Sequence, residues 1–374
     1  MATLDMNIDA GRLRWAVERA GLTVDDYAGS HPCVAFSAWM TGDKKPTFKQ
    51  LEAFAKSVNV PFGYLFLDKE PEESVPFPVF RGEAGKRDHF DLNVYDTANC
   101  ILKRQEWLED YLEDNGIETC GFVNSANLRT PVIEATSKLR NALGLDPRWA
   151  FALANPNAAV NMLTERMELA GVFVTFSGIV GNNTRRAIDV RECRGFALVS
   201  KTAPCVFVNS ADSPSAQLFT LIHEAAHIMI GRSAGHIATD TLCDDAEERW
   251  CDSVAAEFLV PTAELKGAWN GNLKNMSGKF KVSELVIARK AHDLGLLSDD
   301  EYRKFWMCYS KRDITKKKSS GGGDFYKTSV KRVGKLFAIH VRNAVRNRQL
   351  SYAEAYRLTN LYGRTFDKFM ADSI

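Results

Sequence analysis

One stretch of the sequence combines strong helix signals with a high apolar content. Residues 213–231 read SPSAQLFTLIHEAAHIMIG. Ser213 is a favourable N-cap, Pro214 suits the first helical turn, and Gly231 can end a helix in the left-handed conformation. These signals predict one unbroken helix of about five turns. Because most of its residues are apolar, the helix must be largely buried, and its domain must be built around it.

Three ionisable side chains, His223, Glu224 and His227, lie within this predicted helix. Residues four apart share one helix face, so the two imidazoles would point the same way, with the carboxylate one position round. Two neutral imidazoles in this arrangement hold a zinc ion, and the glutamate takes a proton from a water molecule. Two core histidines bonded to backbone carbonyls are the alternative. The metal site is favoured because an unpaired carboxylate inside an apolar run is costly.

A second predicted helix, which begins at Asp244 and is closed by Pro261, offers the missing metal ligand. Catalytic zinc takes three protein ligands and keeps a fourth position for water. We expect Glu248 to be the third ligand, and Asp252, one turn later, to accept the remaining ring N–H of a ligating histidine. Glu247 is the competing candidate, although it has no carboxylate one turn further on. Without the two histidines, this acidic helix start would indicate only a solvated face.

The composition sets the broad class of the protein. The chain has 374 residues, 45% of them hydrophobic, and a formal net charge of +1. This length predicts two or three domains, and the neutral balance excludes a wholly basic nucleic-acid coat. We find no signal sequence and no run of about 18 apolar residues, so we expect a soluble, cytoplasmic protein without a membrane partner. Eight scattered cysteines without CxxC pairs predict reduced, mostly packed thiols.

Residues 1–70 contain several short predicted helices joined by tight turns. Thr23 and Thr47 are predicted N-caps, and the helix after Thr47 carries an apolar stripe. The motifs in this region are LRWAVERAGLT, then Trp39 with Gly42, and the closing VPFGYLFL. They resemble those of XRE-type helix-turn-helix domains, and this resemblance implies DNA binding through residues 10–67.

The side chains that would contact DNA in this region leave a second function open. Lys44, Lys45 and Lys49 could touch phosphates, but they could equally be ordinary solvated surface. Met40 stands where the family has an acidic residue, and the segment SHPCVAFSAW offers no side chain suited to base edges. A protein-docking or dimerisation module is therefore the alternative to a DNA-binding domain.

The middle of the chain is predicted to change from helix to sheet. Residues 71–125 are expected to form an extended linker and then a long bridging helix. Residues 126–310 are expected to form a minimal zincin-like metallopeptidase domain with a small sheet, so the predicted fold class is α+β and predominantly helical. The predicted helices in it cover 131–143, 147–153 and 156–170, and the predicted strands cover 171–176, 195–200 and 204–210.

The end of the chain is predicted to be a basic, helical segment. Residues 311–323 read KRDITKKKSSGGG and are expected to be a flexible linker. Residues 324–374 are predicted to hold two helices, 328–347 and 351–361, with basic exposed sides. Tyr326, Phe337, Tyr352 and Tyr356 would serve as apolar anchors for a partner. We therefore expect a C-terminal docking segment.

Most of the chain resembles the ImmA/IrrE family of metallopeptidases, particularly its members with an XRE helix-turn-helix in front. The resemblance is carried by GIVGNNTRRAIDVRECRGFAL, PCVFVNSADSPSAQLFTLIHEAAHIMIG and EERWCDSVAAEFLVP. It implies zinc on His223, His227 and Glu248, with Glu224 as the general base and Asp252 behind the ligands. It also implies cleavage of a helix-turn-helix repressor in stress response, or activity in a phage, mobile-element or toxin-antitoxin locus.

Two further points are left open by the sequence. His236, in SAGHIATD, is a candidate donor to the oxyanion, although a surface histidine without that role is the alternative. The chain could be an active zinc endopeptidase that cuts a repressor or a co-encoded toxin or antitoxin. It could instead be a DNA- or toxin-binding regulator whose zinc site is structural or vestigial, and in either case a homodimer is possible.

Overall fold

The chain divides into two compact units, which are described separately. A computed structural model describes residues 6–31, 35–71, 91–117, 120–236, 246–311 and 324–372. The first unit holds the described residues up to 71 together with 91–95, and the second holds those from 96 onward. Most of the predicted linkers at 69–87 and 311–323 lies outside the described residues.

The first unit is a bundle of short helices. They are α1 (Ala10–Arg19), α2 (Val24–Ser30), α3 (Phe36–Thr41), α4 (Phe48–Ser57) and a 3-10 turn at Phe62–Phe66. The side chains of Thr23 and Thr47 each accept a hydrogen bond from the N–H of the third helical residue. The side chains of Asp26 and Gln50 in turn accept hydrogen bonds from the backbone N–H groups of Thr23 and Thr47, so two capping boxes fix the starts of α2 and α4. Tyr27, Phe36 and Phe54 pack ring against ring in the core. Whether this bundle binds DNA stays a prediction.

The second unit is mostly helical. Its helices are α5 (Leu92–Asp114, whose first residues belong to the first unit), α6 (Val132–Leu143), α7 (Pro156–Leu169), α8 (Pro214–Ile230), α9 (Ala246–Leu259), α10 (Thr262–Ala268), α11 (Leu273–Phe280), α12 (Glu284–Asp293), α13 (Asp299–Tyr309), α14 (Phe325–Val333), α15 (Lys335–Arg346), α16 (Tyr352–Thr359) and α17 (Gly363–Asp372).

The helix predicted at 147–153 does not form. Residues 147–152 form successive turns instead of the helix expected at 147–153. Hydrogen bonds from Trp149 to Asp146 and from Phe151 to Arg148 span only three residues. This turn conformation accompanies the burial of Trp149 beside Phe258, and α7 begins soon afterwards at Pro156.

A small mixed sheet lies beside these helices. Its strands, within the described residues, are β1 (Phe173–Phe176), β2 (Gly195–Leu198), β3 (Cys205–Val208) and β4 (Ala234–His236). The order is β1-β3-β2-β4, with β1 parallel to β3 and β2 antiparallel to both β3 and β4. The first three strands were predicted from the sequence. The short β4 was not predicted because Ala-Gly-His carries no β-branched or large apolar side chain, and its strand conformation comes from pairing with β2.

Helix α8 lies at the centre of this unit. It packs on β2 and β3, and α7 and α9 pack against it. The sheet can approach α8 closely because residue 195 is a glycine: a Cβ there would lie 2.4 Å from Thr220 Cγ2 and 2.6 Å from the Phe207 carbonyl oxygen. The predominantly helical α+β fold predicted from the sequence is confirmed.

The C-terminal helices pack inside the second unit. Phe337 of α15 stacks on Phe173 of β1 at 5.0 Å between ring centroids and meets Trp107 of α5 at 5.5 Å. Gly334, at φ 86°, separates α14 from α15, so the predicted single helix 328–347 is two helices. Phe337 is fully buried, so the prediction that it anchors a partner is wrong.

Within the described ranges, no helix has both the length and the apolar character needed to cross a bilayer.

Candidate metal centre

Helix α8 holds its three ionisable side chains in the core. The Ser213 hydroxyl accepts a hydrogen bond from the Ala216 N–H, and Gly231 ends the helix at φ 72°, so both predicted helix ends are confirmed. His223, Glu224 and His227 are each at most 1% exposed. Apolar residues surround most of α8, so these polar groups need polar partners from another element or a bound ion.

Three ligand atoms converge where α8 meets α9. The Nε2 atoms of His223 and His227 are 3.2 Å apart. Glu248 of α9 places one carboxylate oxygen 3.2 Å from the first and the other 3.1 Å from the second. Tetrahedral zinc with bonds of about 2.0–2.1 Å requires its ligand atoms to lie about 3.4 Å apart. Two imidazole nitrogens and one carboxylate therefore fit a zinc ion in chemistry and in spacing.

Each imidazole also meets a second carboxylate at its outer nitrogen. Asp252 Oδ1 lies 3.0 Å from Nδ1 of His223, and Glu247 Oε1 lies 3.3 Å from Nδ1 of His227. Glu247 also forms an ion pair with Arg232. Sequence reasoning considered Glu247 only as a rival ligand, and the structure places it behind a ligand instead. Carboxylates in this position fix the tautomer and orientation of metal-binding histidines.

The carboxylates change the charge state of both imidazoles. Burial alone would lower the pKa of His223, but Asp252 and Glu248 raise it to about 10. Burial also opposes a charged His227, whereas Cys251, Glu247 and Glu248 raise its pKa well above the ordinary value. Without a metal, the carboxylates therefore favour a proton on the imidazole pair. Metal binding needs neutral nitrogens, so it must release that proton.

Glu224, also on α8, lies beside β2 and does not join the ligand cluster. It is fully buried, and neither carboxylate oxygen forms a hydrogen bond of good geometry with the described residues, although the Ala197 backbone lies close enough to lower its pKa. Burial raises the pKa of Glu224 to about 7, against the opposing effect of the two histidines. A carboxylate with this pKa can both take up and release a proton near neutral pH.

The remaining predicted site residue, His236, lies on the edge strand. The backbone of His236 ends β4 and pairs with Gly195 of β2, and Gly195 in turn lies beside Glu224. The side chain of His236 is outside the described part of the structure, so its role as an oxyanion donor stays a prediction. No sequence signal indicated that this segment joins the sheet.

A model of a peptidase family matches about a third of the chain. Residues 167–292 match the IrrE N-terminal-like domain, a peptidase M78 family model. The matched range contains α8, the sheet and α9, and therefore all the residues of the metal centre. Residues 333–372 match a domain of unknown function, DUF8813. A search of curated proteins finds no match to the chain.

Proposed function

We propose that this chain is a zinc-dependent endopeptidase. The observation that carries the proposal is the convergence of two imidazole nitrogens and one carboxylate beside Glu224, a buried carboxylate outside the ligand cluster. A purely structural zinc site has four protein ligands and no need for a proton acceptor next to it. The match to a peptidase family model over the same residues supports the same conclusion.

The chain's own residues supply binding and proton transfer. His223, His227 and Glu248 would hold the zinc ion, which when bound polarises a carbonyl group and lowers the pKa of water. Asp252 and Glu247 keep the two imidazoles oriented. Glu224 would accept a proton from the attacking water and pass it to the leaving amine. Peptide hydrolysis then balances, because the carbonyl carbon gains the oxygen of water and the amine gains the proton.

The edge of the sheet supplies a place for an extended substrate. Strand β4 pairs with β2 on one side, and no further strand pairs with its other side among the described residues. An extended peptide can add to such an edge through backbone hydrogen bonds. Strand β2 passes beside Glu224, so a peptide added to the outer side of β4 would lie two strand spacings, about 10 Å, from β2.

We extend the proposal to the substrate class and setting that the sequence resemblance implies. The substrate would be a helix-turn-helix repressor or a co-encoded toxin or antitoxin, cut in the cytoplasm during stress response or mobile-element regulation. The first unit would recruit the enzyme to its target, either through DNA or through protein contacts. A DNA- or toxin-binding regulator with a structural zinc site is the competing function.

The proposal can be tested with one substitution and its matched control. Glu224→Gln should retain one zinc per chain, measured by elemental analysis, and should lose cleavage of the protein encoded by the neighbouring gene. Glu134→Gln changes the same groups in an exposed surface ion pair and should cleave normally. A chelator should abolish cleavage by the unmodified protein, and zinc should restore it. Cleavage by Glu224→Gln at the normal rate, or a chain that never binds zinc, would show the proposal to be wrong.

A further inference from the structure

The charges of this chain are segregated toward its C-terminus. Residues 324–374 contain ten lysines and arginines and four aspartates and glutamates, a net charge of +6. Because the whole chain carries +1, the preceding 323 residues carry −5. A basic segment on an otherwise acidic protein indicates an anionic partner for that segment.

The same segment exposes aromatic rings among its basic side chains. Tyr352 and Tyr362 are 55% and 61% exposed, and Phe325 is 44% exposed. Soluble domains usually bury rings of this size or cover them with a partner. We define the C-terminal strip by the residues that form this surface: Tyr326, Lys327, Tyr352, Tyr362, Arg364 and Lys368.

Contacts between helices connect the parts of the chain that carry these residues. The Lys368 ammonium of α17 lies 4.8 Å from the centre of the Tyr326 ring of α14. On the other side of α17, Phe366 packs against Tyr352 of α16 at 6.0 Å, and the Tyr362 ring lies 5.8 Å from that of Tyr356. Helix α17 therefore contacts α14 through Lys368 and α16 through Phe366.

Two of the acidic residues in this segment are engaged at helix N-termini. Asp324 accepts hydrogen bonds from the backbone N–H groups of Tyr326 and Lys327, and Glu354 accepts bonds from the Ser351 backbone and hydroxyl. Both carboxylates offset the helix dipole, and neither forms an ion pair in the described structure with an arginine or lysine of the strip. Asp367 of α17 is exposed near Arg364 and Lys368, so the strip keeps a positive balance that is smaller than that of the whole segment.

We propose that the C-terminal strip binds single-stranded nucleic acid. Lysines and arginines attract the phosphates, and exposed rings stack on unpaired bases, which is the combination that single-strand-binding surfaces use. A lipid surface would need a continuous aliphatic face, and the exposed rings here are mostly tyrosines with polar tips. An acidic peptide would pair with the charges but would leave the rings unused. The strip lies outside the metal centre, so this proposal does not depend on peptidase activity.

Fluorescence anisotropy with the full-length protein tests the proposal. The probe is a labelled oligothymidylate of about 15 nucleotides, titrated at several salt concentrations. Tyr352→Leu and Tyr362→Leu keep an apolar side chain but remove the stacking ring, and each should weaken binding about tenfold. Arg364→Glu together with Lys368→Glu should weaken binding further and should reduce the slope of log affinity against log salt by about 1.4 or more.

Matched substitutions elsewhere serve as controls. Trp306→Ala removes another exposed ring, and Lys266→Glu reverses another exposed charge, and both should bind as the unmodified protein does. Lys49→Glu in α4 tests whether the first unit binds the probe instead. Circular dichroism melts establish that each variant is folded.

The outcomes separate the possible anionic partners. Parallel titrations with an oligouridylate and an oligothymidylate decide between RNA and DNA, and either one supports the proposal. Equal affinity for all strip variants and the unmodified protein would overturn it. So would a loss caused by Lys49→Glu alone, a preference for duplex that ignores the tyrosines, or binding only to phosphatidylserine vesicles.

Discussion

Substitutions of Glu247 and Glu248 distinguish a carboxylate that orients a metal-binding histidine from a carboxylate that would itself bind the metal. Its carboxylate is 4% exposed and meets the outer nitrogen of His227 at 3.3 Å, whereas Glu248 meets the inner nitrogens at 3.1 and 3.2 Å. Glu247→Gln keeps an oxygen that can accept the ring N–H but removes the charge. Loss of a carboxylate that holds a metal-binding histidine weakens metal binding by about 10- to 100-fold. For Glu247→Gln we expect a loss near 10-fold.

Glu247→Ala should have the larger effect. It leaves the ring N–H of His227 buried without its carboxylate, which costs about 1–3 kcal/mol. We therefore expect zinc affinity to fall by about 100-fold. Arg232, the other partner of Glu247, is mostly exposed, so Arg232→Ala should change affinity only slightly. Glu248→Gln, which removes a charged ligand, should be far more damaging than either substitution at position 247.

A competition titration against a chromophoric zinc chelator measures these affinities. Denaturant unfolding of the metal-free variants shows how much of each effect is a loss of fold stability. The reasoning would be refuted if Glu247→Gln lost zinc as completely as Glu248→Gln, because Glu247 would then be a ligand. It would also be refuted if Glu247→Ala bound zinc as tightly as the unmodified protein.

Three further predictions concern pH, packing and the sheet. Because the pKa of His223 is raised to about 10, zinc must displace a proton from this side chain. Zinc affinity should therefore rise about tenfold per pH unit for each displaced proton between pH 6 and 8. A zinc affinity that does not change with pH in the chelator assay would contradict this prediction. Phe337→Ala should lower the free energy of unfolding by about 3–5 kcal/mol in a denaturant titration, because the ring is fully buried between Phe173 and Trp107. Gly195→Ala should lower the melting temperature and the zinc affinity together, since its methyl group would collide with the helix that carries the histidines.

The parts of the centre that were predictable from sequence are those set by spacing within one helix. A separation of four residues places His223 and His227 on one face of α8, and the same separation places Asp252 behind Glu248 on α9. The ends of α8 were also predictable because Ser213 and Gly231 act locally.

The remaining features depend on contacts between distant segments. Strand β4 exists because β2 pairs with it, and nothing in its three residues favours a strand. Glu247 reaches His227 because α9 crosses α8 at a particular angle, which spacing within α9 does not determine. The partners of Phe337 lie on α5 and β1, more than 150 residues earlier in the chain, so local periodicity marks the ring as apolar without showing what it contacts.

The charge balance of the candidate metal centre implies that zinc binding would not require the second unit to refold. The neighbouring carboxylates raise the pKa values of His223 and His227, so protons on this imidazole pair offset buried negative charge when no metal is bound. A zinc ion that displaces such protons would offset the same carboxylates, so the charge inside the core would change little. Because α8 also has a complete apolar core on both sides, a chelator should remove the metal without unfolding the second unit. This behaviour differs from that of small zinc domains, in which the metal supplies most of the folding free energy. Near-ultraviolet circular dichroism of the chelated protein should therefore stay native, and collapse of that signal would show that the protons do not substitute for the ion.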